Sequence, residues 1–362
     1  MERLIAESTI RPFSPSEIDT KEASLEPIHI DSGVQDRPRV HVGGRKSKLA
    51  VVQTKIVAAE LQKVHPDLSF PVLAISTLGD QVQGRPLYAF GGKALWTKEL
   101  ETLLLEENPT HEDEHLDMIV HSLKDMPTSL PEGCILGAIL KREDPRDALV
   151  MKAGSPHKLL RDLPPNAIVG TSSIRRSAQL KKNYPHLQFE SVRGNVITRL
   201  AKLDATESPY ACLILAVAGL VRLGLGYRIT SHLQAPDMYH AVGQGALGIE
   251  CRANDQHTLD ILKPITDKTA TITCLAERAL MRTLEGGCSV PIGVESAYNL
   301  ETKVLFLEGV VISVDGQTHV QQKIERVVES EEEADSVGRD LAQLLIKCGA
   351  KDILDEIHQD MK

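Results

Sequence analysis

The chain has 362 residues, 42% of them hydrophobic and 25% charged, which is enough for two or three domains with cores of their own. Aromatic residues make up only 3% and the formal net charge is −9, so neither stacking platforms for bases nor nonspecific attraction to phosphate backbones is expected. Six cysteines, at 134, 212, 251, 274, 288 and 348, are scattered without a C-x-x-C pair, which excludes a zinc motif or a disulfide framework and predicts a reduced, cytoplasmic setting.

No apolar run approaches the roughly 18 residues a membrane span needs. Residues 1–37 carry Glu2, Glu7, Glu17, Asp19, Glu22 and Glu26 with few periodic apolar positions, and read as a mobile acidic tail. Arg39-Val40-His41-Val42 reads as a short strand ending at Gly43-Gly44. A helix follows, with Leu49, Val52, Ile56 and Ala59 as its buried face. Arg45, Lys46, Ser47 and Lys48 sit at its first turn, where amide groups and cations suit an anion. The glycine-to-lysine spacing in GGRKSK is wrong for a P-loop.

Phe70 to Ser76 reads as the next strand. The glycine-rich stretch from Leu78 to Leu95 reads as a functional loop, with Lys93 and Lys98 at its end. A helix begins at Thr97-Lys98-Glu99-Leu100, and Glu106 to Glu114 is an acidic loop. Leu116 to Val120 reads as a buried parallel strand. It delivers His121, Ser122, Lys124 and Asp125 to its carboxyl end, where open α/β sheets bind ligands. Pro127 restricts Met126 and ends any helix there.

Gly133 to Leu140 and Ala148 to Met151 are further strands. Ala167-Ile168-Val169 leads into Gly170-Thr171-Ser172-Ser173, and a helix begins with Ile174-Arg175-Arg176. This repeats the earlier arrangement of strand, small-residue turn, helix start and cations. Arg193 and Arg199 follow a strand near Phe189, and Arg222 follows the strand Cys212 to Ala216. Guanidinium groups placed after strands in an acidic chain point to a cationic cleft for a polyanion. Tyr239 to Arg252, with Gly243-Gln244-Gly245, reads as a return crossing between domains. From Asp267 the pattern becomes a helix, a loop, strands over Val304–Val314 and a last helix near Ala334–Lys347.

That helix carries Ile272, Leu275, Ala276, Ala279, Leu280 and Leu284 at three- and four-residue spacing, and Gly286-Gly287 is expected to stop it. Cys288 follows on a loop whose neighbours have no side chains to block access. Local sequence leaves open whether it is a structural cysteine or a reactive one.

Seven motifs, GRKSKLA, KELE, HSLKDMPT, GTSSIRRSAQL, RGN, VGQGALG and LEGGCSVP, together resemble the porphobilinogen deaminase (hydroxymethylbilane synthase) family of haem biosynthesis. The motifs run from Arg39 to about Val294, the tail domain also fits, and only residues 1–37 lie outside the resemblance. It implies an α/β fold of two type II periplasmic-binding-protein-like lobes with mixed sheets, plus a smaller α+β C-terminal domain. The implied division is a tail over 1–37, domain 1 over 38–142 and 243–266, domain 2 over 143–242, and domain 3 over 267–362.

The resemblance also implies the chemistry. Four porphobilinogen molecules condense head to tail with loss of ammonia on a dipyrromethane held as a thioether on Cys288, and hydrolysis releases hydroxymethylbilane. Asp125 matches the catalytic carboxylate. Loss of ammonia leaves a cationic azafulvene, which a carboxylate beside the pyrrole nitrogens stabilises. Arg45, Ser47, Gln53, Ser122, Lys124, Thr171, Ser172, Ser173, Arg175, Arg176, Arg193, Arg199, Arg222, Gln244 and Gly245 match cofactor and substrate contacts. No metal, nucleic acid or membrane is implied, and a monomer is expected. Gly44 stands where the family often has threonine and is expected to loosen the first anion-binding turn, while Trp96 replaces a more usual phenylalanine. Two rival classes remain: a two-lobed carboxylate-binding protein without catalysis, and a cysteine-dependent acyl transferase with His121 as base.

Overall fold

The computed structural model describes residues 28–30, 37–76, 94–106, 115–284 and 290–360. The chain opens with β1 (Ile28–Ile30), β2 (Val42–Arg45), α1 (Lys48–Val64), β3 (Val72–Ile75), α2 (Ala94–Leu105), β4 (Met118–Ser122) and β5 (Cys134–Ile139). It continues with β6 (Asp147–Met151), β7 (Ile168–Gly170), α3 (Ile174–Asn183), β8 (Gln188–Glu190), α4 (Val196–Asp204), β9 (Tyr210–Ala216), α5 (Val217–Arg222) and β10 (Ser231–Leu233). It returns through β11 (Leu247–Arg252) and α6 (Gln256–Leu262). The last part holds α7 (Lys268–Thr283), β12 (Ile292–Tyr298), β13 (Val304–Ile312), β14 (His319–Val327), α8 (Glu331–Lys347) and α9 (Ala350–Asp360).

Three sheets result, ordered β1-β3-β2-β4-β11-β5, β10-β6-β9-β7-β8 and β12-β13-β14. The first two are mixed. In the first, β2 runs parallel to β3 and β4, while β11 runs antiparallel to β4 and β5. In the second, β7 is parallel to β8 and β9, and β6 is antiparallel to β9 and β10. The strand read as parallel, β4, is therefore parallel on one side only. Its other neighbour arrives with the return segment, running the opposite way. The third sheet is an antiparallel meander whose inner face packs Val294, Leu305, Leu307 and Val311 against Leu280 of α7 and Leu341 and Leu345 of α8.

Helix starts follow from their caps. Ser47, Ser173, Asn195, Asp255, Asp267 and Ser330 each accept a backbone N–H of the first turn, satisfying a donor the helix itself leaves over. The α7 helix ends at Thr283 with Leu284 as its cap, before the two glycines expected to stop it. Gly286, Gly287 and Cys288 lie outside the described residues, as do the stretch 78–93 and His111–Glu114, and nothing is described of the Trp96 side chain.

Four local expectations are corrected. The first main strand runs Val42–Arg45, through the glycines, and Arg39 stands before it in an isolated bridge to Ser69. Ile28–Ile30, within the stretch read as a mobile tail, pairs antiparallel with Val72–Ala74 at the edge of the first sheet. The buried face of α1 is Gln53, Thr54, Val57 and Leu61, while Ala59 is exposed. Apolar periodicity misplaced that face because two of the inward positions are polar. Finally, α9 was not read, although its buried Ile353, Leu354 and Ile357 have helical spacing.

Gly44 does not loosen its turn. A Cβ built there would collide with Thr54 Oγ1, so the α1 side chain occupies the room a larger residue would need. Thr54 is itself tied to the Ala50 carbonyl at 3.0 Å. Gly44→Ala should destabilise the chain by about 1–3 kcal/mol, the scale of overpacking. Adding Thr54→Ala should recover most of that loss in denaturant unfolding. Simple additivity of the two changes would show that they do not meet.

Candidate active site

Along β4, Val120 and Ser122 point toward α1, and His121 points the other way. Gln53 Nε2 donates to Ser122 Oγ at 2.7 Å. The chain then makes a single 3-10 turn, Leu123–Asp125, with Asp125 half-buried at its end. Leu123 N–H donates to the Ala246 carbonyl at 3.0 Å. Gly243 presses on the same turn: it has φ 70°, and a Cβ there would stand 3.2 Å from the Lys124 nitrogen. On the far side of the turn, Arg278 of α7 donates to the Pro127 carbonyl at 2.6 Å. The position of Asp125 is thus set by three parts of the chain at once.

Gly243-Gln244-Gly245 is the centre of this region. Gly243 N–H donates to Glu277 Oε2 at 2.8 Å. The Gln244 carbonyl accepts from Arg142 Nε at 2.8 Å, and the Gly245 carbonyl accepts from Arg222 Nη2 at 2.6 Å. Gln244 Oε1 accepts from Lys124 Nζ at 3.2 Å, while its Nε2 donates to Asp147 Oδ1 at 2.9 Å. Arg142 makes a bidentate pair with Glu277, at 2.6 and 3.0 Å, so the turn is tied to α7 as well.

Asp147 is fully buried at the start of β6. Arg175 Nη2 reaches its Oδ2 at 2.8 Å and Arg176 Nη2 its Oδ1 at 2.7 Å. The two guanidinium groups hold this carboxyl far below the usual range, against the opposing effect of burial. Arg175 also donates to the Tyr239 carbonyl and Arg176 to that of Ile214. Both arginines are buried, at 6% and 7% exposure. These side chains are turned to Asp147 and brace the start of α3 from beneath. Arg222 is likewise turned to Gly245, so three of the arginines read as one cleft lining serve the joint between lobes.

A cation of the second lobe, Arg199, lies within electrostatic reach of Asp125. Burial, then Arg176 and Arg193, push the Arg199 guanidinium down to about 10, with Asp125 as the opposing attraction. Arg199 Nε is oriented by the Gly194 carbonyl at 2.7 Å. Thr171-Ser172-Ser173 lies between β7 and α3: Ser173 caps the helix, and Ser172 Oγ donates to the Val192 carbonyl at 2.7 Å. Arg45 and Ser47 occupy the matching place in the first lobe, at the end of β2 and the start of α1.

Sequence reasoning missed Asp147, Arg142, Glu277 and His240. A signal existed for two of them. Asp147 opens an otherwise apolar strand, and Glu277 falls on the apolar face of α7, which calls for a buried partner in each case. His121 was singled out as a possible base for Cys288. It is 6% exposed and pairs with Glu250 at 2.9 Å, on the face of β4 turned to α2.

Comparison with known proteins decides the family. The model for the porphobilinogen deaminase dipyrromethane cofactor-binding domain matches residues 40–260, and that for the porphobilinogen deaminase C-terminal domain matches 271–347. The chain belongs to the porphobilinogen deaminase family. Porphobilinogen deaminase from Yarrowia lipolytica is 67% identical over 321 residues, covering 89% of this chain and 94% of that protein. The Saccharomyces cerevisiae protein of that name is 59% identical over 322 residues, covering 89% and 98%. Among solved structures, the aliphatic sulphonate-binding protein SsuA of Escherichia coli matches at 12% identity and TM-score 0.35, over 68% of this chain and 75% of that one. Among the described residues no cluster of three or more His, Cys, Asp or Glu could hold a metal ion, and no helix is long and apolar enough to cross a membrane.

The donor set suits the family's cofactor, whose pyrroles carry acetate and propionate groups. Arg176 and Arg193 both act on Arg199, with Asp125 as the opposing charge. Crowded cations of this kind call for anions.

His240 gives this region a pH signature. It is 2% exposed, and burial with Arg142 nearby pushes its imidazole down to about 4 from 6.5. The unfolded chain takes up this proton at higher pH than the folded one. Stability should therefore fall as pH drops from about 6.5 through about 4. Melting curves across that range should show the loss, and His240→Gln should flatten it. An equal slope in both proteins would assign the proton uptake elsewhere.

Proposed function

We propose that this chain condenses four porphobilinogen molecules head to tail, releasing ammonia at each addition and hydroxymethylbilane by hydrolysis. In this reading Asp125 is the catalytic carboxylate, and Cys288 holds a dipyrromethane through a thioether. The observation that supports it is that Asp125, on its turn after β4, lies within electrostatic reach of Arg199 of the other lobe, beside Arg176 and Arg193. A carboxylate within electrostatic reach of grouped cations suits a substrate that is cationic at the reacting ring and anionic at its side chains.

Each residue then has a task. Asp125 keeps negative charge beside the pyrrole nitrogens, where positive charge develops when ammonia leaves. Lys124, Arg193 and Arg199 bind the carboxylates of successive rings. Arg45, Ser47, Gln53 and Ser122 form the corresponding wall of the first lobe, and Thr171, Ser172 and Ser173 that of the second. Arg175, Arg176, Arg222, Gln244 and Gly245 hold the two walls in register. The dipyrromethane supplies the nucleophilic pyrrole carbon to which the first unit is joined. Leu284 and Val290, the described residues nearest Cys288 in the chain, are both in the core of the third unit.

The three sheets support a division into domain 1 over 38–142 and 243–266, domain 2 over 143–242 and domain 3 over 267–362. The chain is further read as a cytoplasmic monomer. The acyl-transferase reading gains nothing from the family match, and His121, the base it calls for, is buried against Glu250 under α2.

Asp125→Asn keeps the shape of the residue and removes its charge. It should melt like the parent and slow bilane formation a hundredfold or more, for a loss of about 3–4 kcal/mol in one preorganised electrostatic group. Asp125→Glu keeps the charge and should retain more activity. A well-folded Asn variant that matched the Glu variant would remove Asp125 from the chemistry. The intact mass of purified active protein should exceed that of the sequence by two linked pyrrole units, mapped to Cys288. An unmodified mass, or an adduct on another cysteine, would refute the anchor.

A further inference from the structure

Beneath α2, Thr97 Oγ1, Glu101 Oε1 and Glu250 Oε1 are buried polar atoms that make no hydrogen bond. Their residues are 3%, 8% and 0% exposed. Native interiors leave few such atoms, and each calls for a proton or a partner. Glu101 comes from α2 and Glu250 from the middle of the first sheet, and the two carboxyl groups act on each other electrostatically.

The groups facing this site come from four elements. His121 on β4 meets Glu250 Oε2 at 2.9 Å. Thr97 on α2 is within hydrogen-bonding reach of Glu101, and the Cys134 thiol on β5 is within such reach of Glu250. Arg278 on α7 is within electrostatic reach of Glu250, but its guanidinium is engaged by the carbonyls of Met126 and Pro127. His121 engages Glu250 Oε2 and also lies within electrostatic reach of Glu101, yet Oε1 of each glutamate is left without a hydrogen-bond partner. Two carboxyls in one dry site do not both ionise readily.

We infer that Glu101 is carried as a neutral carboxylic acid whose proton is donated to Glu250 Oε1, making it a positioning residue that docks α2 onto the strand leading to Asp125. Glu250 then accepts from His121 on one oxygen and from Glu101 on the other. The Thr97 hydroxyl donates to the remaining Glu101 oxygen, and all three orphaned atoms have partners. His121 stands directly before Ser122, so the proton links α2 and β11 to the end of β4. Burial is the first cause of a raised Glu101 pKa, with Glu250 adding to it. Docking is therefore strongest while Glu101 is protonated, and weakens as pH rises through the folded-state value. The link to turnover rests on the reading of Asp125 as catalytic; the proton itself does not.

The test begins with the unaltered protein. Infrared spectra at neutral pH should contain the carbonyl stretch of a buried carboxylic acid, absent in Glu101→Gln. Amide hydrogen exchange in α2 should accelerate from neutral to alkaline pH beyond the intrinsic rate in the parent, and not in Glu101→Gln. If that variant fails to fold, Glu250→Gln should shift the same band and so assign it. Absence of the band in the parent, or its survival unshifted in whichever variant folds, overturns the inference. So does α2 exchange with the same pH dependence in parent and Glu101→Gln. These readouts need no turnover, so their failure is distinct from failure of the Asp125 assignment. The positioning role adds one expectation: the ratio of alkaline to neutral bilane formation should be higher in Glu101→Gln than in the parent. An unchanged ratio would refute that role even with the band in place.

Discussion

A single carboxylate with no access to water holds the two lobes in relation to each other. Asp147 accepts from Arg175, Arg176 and Gln244, and Gln244 in turn accepts from Lys124. Removing a charge of this kind from water costs several kcal/mol unless its lone pairs are satisfied, so the arrangement tolerates little change in any member. Its partners come from α3 in the second lobe and from the turn that leads back into the first. The Lys124 side chain, one residue from Asp125, is the last member of that chain of contacts. The geometry around the candidate catalytic residue is therefore inherited from a buried pair some way behind it.

The third unit enters through the same turn. Arg142 precedes β6, and Glu277 stands on α7. Their bidentate pair, with the bond from Gly243 N–H to Glu277, joins the segment between the lobes to the helix that runs toward Cys288. His240 is in the same place, and its neighbouring strand residue Val294 bridges it by paired backbone bonds of 3.0 and 2.9 Å. Movement of the third unit relative to the lobes has to be accommodated at these residues. The polar groups that do this are buried, which gives them strength, and few, which leaves the joint narrow.

Much of this was legible in the sequence where local rules govern. The strand–turn–helix units around Ser47 and Ser173 were readable, because helix starts are set by residues close in the chain. The strand reaching Ser122 and the return crossing near Gly243 were readable as apolar runs with glycine punctuation. The face of α1 was not, since Gln53 and Thr54 point inward for reasons that lie on β4 and at Gly44. The use of Arg175 and Arg176 was not either. Their partner, Asp147, is 28 and 29 residues away in the chain, and nothing in local pattern distinguishes a guanidinium meant for ligand from one meant for a buried carboxylate.

The place of β11 has a consequence for how the protein is made. The second lobe is contiguous from β6 to β10, so it can fold as soon as it has emerged from the ribosome. The first sheet cannot. Until residue 247 has been synthesised, β4 and β5 have no strand between them, and each presents an unpaired edge. Unpaired edges recruit other strands, and pairings between distant residues form slowly. The earlier half of the sequence must therefore wait for the later one, and a nascent chain stalled before β11 would expose an unfinished sheet beside a finished lobe.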